Sequence, residues 1–427
     1  MKSSREAALA ALYEIEYNGA YSNIVLKNLL KDTDLDGRDR AFVSALVYGV
    51  TAKKRMLDYM IEELSKIKLK KISKYILIIL RMGLYQLKFM DKVPDSAAVN
   101  ESVRLARRYG HSASAGYVNG ILRNASKRDF SLPSDLAVRE SFADINAKRL
   151  ISDYGERAKD IMTALNKEPK MTVRANTLKI TTDELKKMLG AENCPYSDVG
   201  LYVKKLDTSS SREYENGLFT VQDVSPMVAC KVLAPKSGDT VIDLCAAPGG
   251  KTTYLAELMQ NEGRIYAFDI HQHRVELVLK NAERLGINII DAKAQDATVY
   301  NTELNKIADK VLADVPCSGI GIARRKPELK YKTDFDELSE IQLKILKNGA
   351  RYLKKGGELV YSTCTLYRDE NERVIDRFLE ENDGFELVSF QDYLPDGFTE
   401  EKDGIMTVLP DKTDCDGFFV AKIRRCI

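Results

Sequence analysis

The sequence predicts a multidomain protein in three parts: an all-α N-terminal domain, a small α+β middle module, and a C-terminal doubly wound α/β domain. The sheet of that last domain is expected to be mostly parallel, with an antiparallel edge strand. Three observations predict this. At 427 residues the chain exceeds what one hydrophobic core supports. Apolar residues recur at helical spacing through the first 130 positions, and strand-like spacing starts only at Met171. From Thr240 strands and helices alternate through glycine-rich turns, as parallel strands with crossover helices require. The boundaries that follow are 1–140, 141–228 and 229–427.

In chain order, helices are expected over 6–17, 41–64, 73–90 and 97–109, with breaks at Gly19, Gly37, Pro94 and Gly110. A helical connector over 131–160 is introduced by Pro133. The middle module starts with a strand over 171–174. Thr181, Thr182 and Asp183 then supply capping side chains for a helix over 184–189. Strands over 200–204 and 217–222 complete the module near Asp223. In the C-terminal domain, strands are expected over 240–244, 264–268, 287–294, 310–313 and 358–362. Helices are expected over 253–259, 274–285 and 337–353, and a closing strand over 417–423 supplies the antiparallel edge.

Composition excludes several classes. A chain 44% hydrophobic and 30% charged is neither disordered nor built for a bilayer. Its longest strongly apolar run, 75–80, stops at Arg81, short of the about 20 residues a membrane span needs. Glu6, Glu14 and Glu16 near the start are foreign to a secretory signal. Seven scattered cysteines without a Cys-x-x-Cys pair argue against a disulfide framework or a structural metal, and for a reducing cytoplasm. Only His111, His271 and His273 are available for imidazole chemistry.

Charge is distributed unevenly. Residues 1–130 hold 23 basic and 14 acidic side chains, and the remainder 42 and 49. A basic front suits a polyanionic partner; a solvated lysine-rich surface would give the same count. The contributors are the 66–74 stretch, Arg104, Arg107 and Arg108 at one-face helical spacing, and Arg123, Lys127 and Arg128.

The first C-terminal strand runs into Cys245-Ala246-Ala247-Pro248-Gly249-Gly250-Lys251-Thr252 and then a helix. A glycine pair at such a turn lets a ligand approach the backbone, and the helix N-terminus favours a carboxylate. Asp269 ends the second strand, where a carboxylate accepts hydrogen bonds from ribose hydroxyls. Asp296 follows the third, near an adenine position, and Asp314 ends the fourth. A Walker A loop fails because Cys245 stands where its first glycine belongs, and the Gly-x-Gly-x-x-Gly dinucleotide fingerprint is absent. S-adenosylmethionine, which has no phosphate, suits what remains; a glycine-rich turn of another α/β fold is the alternative.

The fourth strand ends Asp314-Val315-Pro316-Cys317 and the fifth Ser362-Thr363-Cys364-Thr365. Ligands of open α/β sheets bind at the carboxyl ends of strands, so both thiols fall beside the cofactor. One such cysteine is ordinarily a small buried apolar residue; two in equivalent positions ask for chemistry. Carbon 5 of cytosine is too weak a nucleophile for direct methylation. A thiolate adding at C6 makes C5 enamine-like, and loss of the C5 proton and of the thiolate restores the ring. A carboxyl group near ring N3 and the exocyclic amine would favour the addition, and Asp314 is the candidate. The base must leave its stack to be reached.

Residues 245–252, 314–319 and 362–365 together resemble the motifs of the RNA cytosine-5 methyltransferases. The resemblance implies Cys364 as nucleophile and Cys317 in release of the methylated RNA. It implies S-adenosylmethionine bound by the loop Cys245 to Lys251 and by Asp269, Asp296 and Asp314, with S-adenosylhomocysteine as product and no metal. Arg174-Ala175-Asn176-Thr177-Leu178 is similar to the start of that family's RNA-contacting middle module. At the front, 39–43 and 117–123 resemble the helical NusB domain, an RNA-binding fold. The pairing is that of Sun-type bacterial methyltransferases acting on 16S ribosomal RNA, and a cytoplasmic monomer is expected. A NusB-like binding factor with an inert C-terminal half is the competing class. Cys364, Cys317, Asp314 and the glycine loop, present together, argue against it. Transfer RNA or DNA as the methyl acceptor is a further alternative.

Overall fold

The computed structural model describes residues 3–31, 33–204, 206–208, 211–334 and 337–427. The chain forms two compact units: Met1–Asn166 with Ala323–Asp334, and Lys167–Ile322 with Phe335–Ile427.

The first unit is helical. It contains α1 (Ser4–Tyr17), α2 (Ser22–Lys31), α3 (Gly37–Ala52), α4 (Lys54–Glu62), α5 (Lys74–Phe89), α6 (Asp95–Tyr109) and α7 (Ser114–Lys127), then the short α8 (Leu136–Arg139), α9 (Asp144–Tyr154) and α10 (Ala158–Ala164). Helix α5 is the hub, with Ile76 to Leu80, Met82 and Leu84 all buried. Arg81 lies among them and is neutralised by Glu16 at 2.5 Å and Asp58 at 2.6 Å. The helix expected over 41–64 is two helices, because Lys53 leaves the helical region at φ −108°, ψ 20°. Gly37 does not separate helices but opens α3, whose N-cap Asp36 accepts from the Asp39 N–H at 2.7 Å. Helices α2 and α7 are additions to the four that apolar spacing singled out.

The downstream segment 323–334 is built into this unit. The Glu328 carboxylate accepts from the Ser22 N–H at 3.0 Å and hydroxyl at 2.8 Å, so an anion sits at the N-terminus of α2. Lys330 is fully buried and donates to the carbonyl of Ala52, the last residue of α3, and to Asn166 Oδ1 at 2.6 Å. Burial holds its pKa well below the usual lysine value. The Asn146 amide donates to the Lys330 and Lys332 carbonyls at 3.0 and 2.8 Å.

The second unit begins with a four-stranded antiparallel sheet, ordered β2-β3-β1-β4. Its strands are β1 (Met171–Ala175), β2 (Glu192–Asn193), β3 (Gly200–Val203) and β4 (Phe219–Val221). Helix α11 (Thr182–Leu189) opens with the capping box of Thr181 and Glu184, and α12 (Arg212–Glu215) precedes β4. After α13 (Val224–Leu233) comes the large sheet, made of β5 (Thr240–Asp243), β6 (Arg264–Asp269), β7 (Ile290–Ala294), β8 (Ala308–Asp314), β9 (Leu353–Thr363), β10 (Phe385–Leu387), β11 (Ile405–Val408) and β12 (Phe418–Arg425). Strands β9-β8-β5-β6-β7 run parallel. The closing strand β12 is antiparallel to β9, and two short strands, β10 and β11, pair with it in turn. The crossovers are α14 (Gly250–Leu258), α15 (Gln272–Leu285) and α16 (Leu338–Tyr352); α17 (Glu372–Glu381) and α18 (Pro410–Thr413) follow. The strand order reverses between β5 and β8, which puts a binding crevice at their carboxyl ends. No helix among the described residues is long and apolar enough to cross a membrane.

Candidate active site

The crevice is built from the loops that leave β5, β6, β7, β8 and β9. After β5 the chain turns through 244–249 into α14. Gly249 takes φ +103°, and a Cβ there would lie 3.1 Å from the Val278 backbone, so both conformation and space call for glycine. Asp243 is buried beneath the loop. Its carboxylate accepts from the Thr252 hydroxyl at 2.7 Å and the Cys245 N–H at 3.4 Å. Burial pushes its pKa up to about 7 against the pull of Thr252. The Cys245 thiol pKa is held well above its usual value by burial and then by Asp243, Asp314 and Asp269.

Asp269, at the end of β6, is buried and preset. One oxygen accepts from the His271 N–H at 3.1 Å, and the other faces Arg274 at 3.2 Å. Asp296, beyond β7, accepts from the Thr298 N–H and hydroxyl at 2.8 and 2.7 Å. Beside it, the Gln295 Nε2 is buried without a hydrogen-bond partner among the described residues. A glycine cradle, a helix N-terminus, a carboxylate at the next strand end and an orphaned amide beyond it fit an amino-acid nucleoside.

At the ends of β8 and β9 the remaining expected residues converge. The Asp314 carboxylate accepts from Lys251 at 2.6 Å and from the Ser362 hydroxyl at 2.7 Å. Burial lowers the Lys251 pKa, but Asp314 outweighs it and the net shift is upward. Cys317 and Cys364 are partly buried free thiols with sulfurs 3.3 Å apart. The hydrogen bond to Cys364, followed by burial, raises the Cys317 pKa well above the usual thiol value. Among the described residues no group of three or more His, Cys, Asp or Glu side chains is placed to hold a metal ion.

Two expectations are refined. Arg174 and Asn176, in the stretch likened to an RNA-contacting module, are fully buried. Arg174 pairs with Glu257 at 2.7 Å and donates to the Gly250 carbonyl at 2.7 Å, to the Thr253 hydroxyl at 3.2 Å and to Gln222. The Asn176 amide donates to the Gly217 and Leu285 carbonyls at 2.8 and 2.9 Å. Arg174 thus ties the small sheet to the glycine loop and α14, and Asn176 ties it to the end of α15. On α6, Arg104 pairs with Glu101 and Arg108 with Glu6, each at 2.6 Å, whereas Arg107 has no acidic partner among the described residues. Four residues behind the site were not singled out by sequence reasoning: Asp243, Gln342, Glu370 and Asn371. The only signal available was the nearness of three of them to the motifs.

Comparison with known proteins gives a consistent set of matches. The family model described as 16S rRNA methyltransferase RsmB/F matches residues 230–424. The NusB family model matches 2–127, and the ferredoxin-like domain model of RsmF/B-like methyltransferases matches 146–205. The chain is 38% identical, over 99% of both sequences, to the Bacillus subtilis (strain 168) protein named "Probable ribosomal RNA small subunit methyltransferase B". Among solved structures, that of PH0851 is similar with a TM-score of 0.83 and 27% identity, covering 99% of this chain and 98% of that one. NSun6 from Pyrococcus horikoshii with SFG is similar over 67% of this chain and 99% of its own, with a TM-score of 0.59 and 26% identity.

Proposed function

This chain belongs to the RsmB/F family of 16S rRNA methyltransferases, and on that premise we propose that it methylates carbon 5 of a cytosine in 16S ribosomal RNA through a transient bond between Cys364 and C6 of the base. The observation that carries the proposal is the 3.3 Å pair of sulfurs at the ends of adjacent parallel strands. S-adenosylmethionine, when bound, supplies an electrophilic methyl group. The loop from Cys245 through Ala246, Ala247, Pro248, Gly249 and Gly250 to Lys251 cradles its methionine part, Asp269 the ribose and Asp296 the adenine side. Asp314, fixed by Lys251 and Ser362, orients the cytosine at the edge bearing N3 and the amine.

The two thiols divide the work by motif: the family resemblance gives addition to Cys364, in the Thr-Cys motif, and release to Cys317, in the Pro-Cys motif. The Cys364 sulfur bonds to C6 and C5 becomes nucleophilic. After alkylation a general base takes the C5 proton, the C5–H electron pair restores the C5–C6 double bond, and the Cys364 sulfur leaves C6 as a thiolate. Cys317, within 3.3 Å of the departing sulfur, assists release. In functional terms we assign residues 1–140 to RNA binding, 141–228 to a connector and RNA-contacting module, and 229–427 to catalysis. Exposed Lys66, Lys68, Lys70, Lys71, Lys74, Arg107, Arg123 and Lys127 supply the phosphate contacts. Bisulfite sequencing of 16S RNA incubated with protein and S-adenosylmethionine tests the proposal. One newly protected cytosine is expected; methyl transfer to another base or another nucleic acid would overturn it.

A further inference from the structure

The two cysteine loops are held from behind by neighbouring residues. We infer that Glu370 and Asn371, consecutive residues entering α17, are positioning residues that fix the two thiols separately: Glu370 holds Cys317 and Asn371 holds Cys364. The inference rests on the reaction cycle proposed above.

The geometry is symmetric about the pair. Cys317 lies between Pro316 and Ser318. The Ser318 N–H donates to Glu370 Oε2 at 2.8 Å, and the Gln342 amide donates to the same oxygen at 3.1 Å and to the Pro316 carbonyl at 2.9 Å. Cys364 lies between Thr363 and Thr365. The Thr363 hydroxyl donates to Asn371 Oδ1 at 2.6 Å, and Asn371 Nδ2 donates to the Thr365 carbonyl at 3.1 Å. Both flanks of each cysteine are thus bound, and the sulfurs themselves stay free to react. The Tyr361 hydroxyl donates to the Glu370 carbonyl at 2.6 Å and fastens the device to β9. Ser318 and Thr365 link the loops directly at 2.7 Å. Glu370, Asn371 and Gln342 are all buried, where such bonds are strong and their loss is not made good by water.

Glu370 works through one oxygen. Its other oxygen, Oε1, is buried with no hydrogen-bond partner among the described residues. Position 370 therefore needs an acceptor at that reach. A glutamine supplies the acceptor; an aspartate keeps the charge but draws the acceptor back by one methylene. At Asn371 an aspartate keeps the acceptor for Thr363, but it loses the donor to Thr365 and sets a carboxylate against that carbonyl.

Single-turnover reactions of the full chain with 16S RNA and labelled S-adenosylmethionine, run on denaturing gels, test this. Cofactor affinity measured by calorimetry reports folding of each variant. Cys317→Ala is the reference for blocked release and accumulates a protein–RNA adduct. Glu370→Asp is expected to accumulate the same adduct, with release slowed by about 10²-fold, the loss that a misplacement of about 1 Å brings. Glu370→Gln turns over as the natural protein does. Asn371→Asp forms adduct slowly and accumulates none. Equal loss of both steps in Glu370→Asp and Asn371→Asp, or a Glu370→Gln as slow as Glu370→Asp, overturns the division of roles. Absence of adduct even from Cys317→Ala overturns the reaction cycle, and this inference with it.

Discussion

Replacing Arg174 by methionine separates an internal clamp from an RNA contact. The guanidinium is fully buried and serves Glu257, Gln222, Thr253 and the Gly250 carbonyl. Methionine fills the volume but leaves the Glu257 carboxylate, 1% exposed, as an uncompensated charge. Removing one partner of a buried pair costs about 3–5 kcal/mol, a large share of the about 5–15 kcal/mol that holds a folded protein together. Urea unfolding should show that loss. The double variant Arg174→Met/Glu257→Leu should recover most of it, since apolar groups of similar volume replace a buried pair at little cost. Burial already raises the Glu257 pKa, with Arg174 pulling it back. Without Arg174 the folded-state pKa climbs further above the unfolded one. The carboxyl is then protonated in both states at low pH, and the deficit grows as pH rises from about 4.5. A single variant within about 1 kcal/mol of the natural protein, or a double variant no better than the single, would refute the clamp. Loss of RNA affinity at unchanged stability would instead return Arg174 to RNA contact.

Three further outcomes are expected. Cys364→Ala should abolish methyl transfer while calorimetry finds cofactor binding intact; near-normal turnover would remove the nucleophile assignment. Asp269→Ala should weaken S-adenosylmethionine binding by about 1.5–3 kcal/mol, the value of a hydrogen bond to a charged group, and an unchanged dissociation constant would mean that ribose lies elsewhere. Asp243, with its pKa pushed up to about 7, holds its proton in the folded state where the unfolded chain has lost it. Its stabilising contribution is complete below about pH 4 and declines as pH rises through about 7. Asp243→Asn should flatten that slope in melting experiments across the range, and an unaltered slope would count against a buried protonated carboxyl.

The placement of the glycine loop, of the acids at the strand ends and of both thiols was legible because each depends on local chemistry: a glycine that must take positive φ, or a side chain at a strand terminus. Helix boundaries were less so. Apolar spacing runs uninterrupted from 41 to 64, and the break at Lys53 carries neither glycine nor proline to announce it. Helix α7 carries Gly116 and Gly120, which weaken a helical reading of that stretch. The burial of Arg174 was not legible because burial of a charge depends on a partner 83 residues away, Glu257, which spacing cannot supply. Glu370 was passed over because its partner Ser318 lies 52 residues away, and Asn371 because spacing alone does not show that the chain turns back on Thr363 and Thr365.

The hook formed by 323–334 has a practical consequence for anyone dissecting the protein. A recombinant piece ending at Asn166 would contain α1 to α10 yet lack the glutamate that seals one helix start and the lysine that seals one helix end. Such a fragment should melt earlier than its helices alone suggest, and a synthetic peptide spanning the hook should restore it. Swapping this front between relatives is thus a two-site graft, with twelve downstream residues travelling along with their hosts.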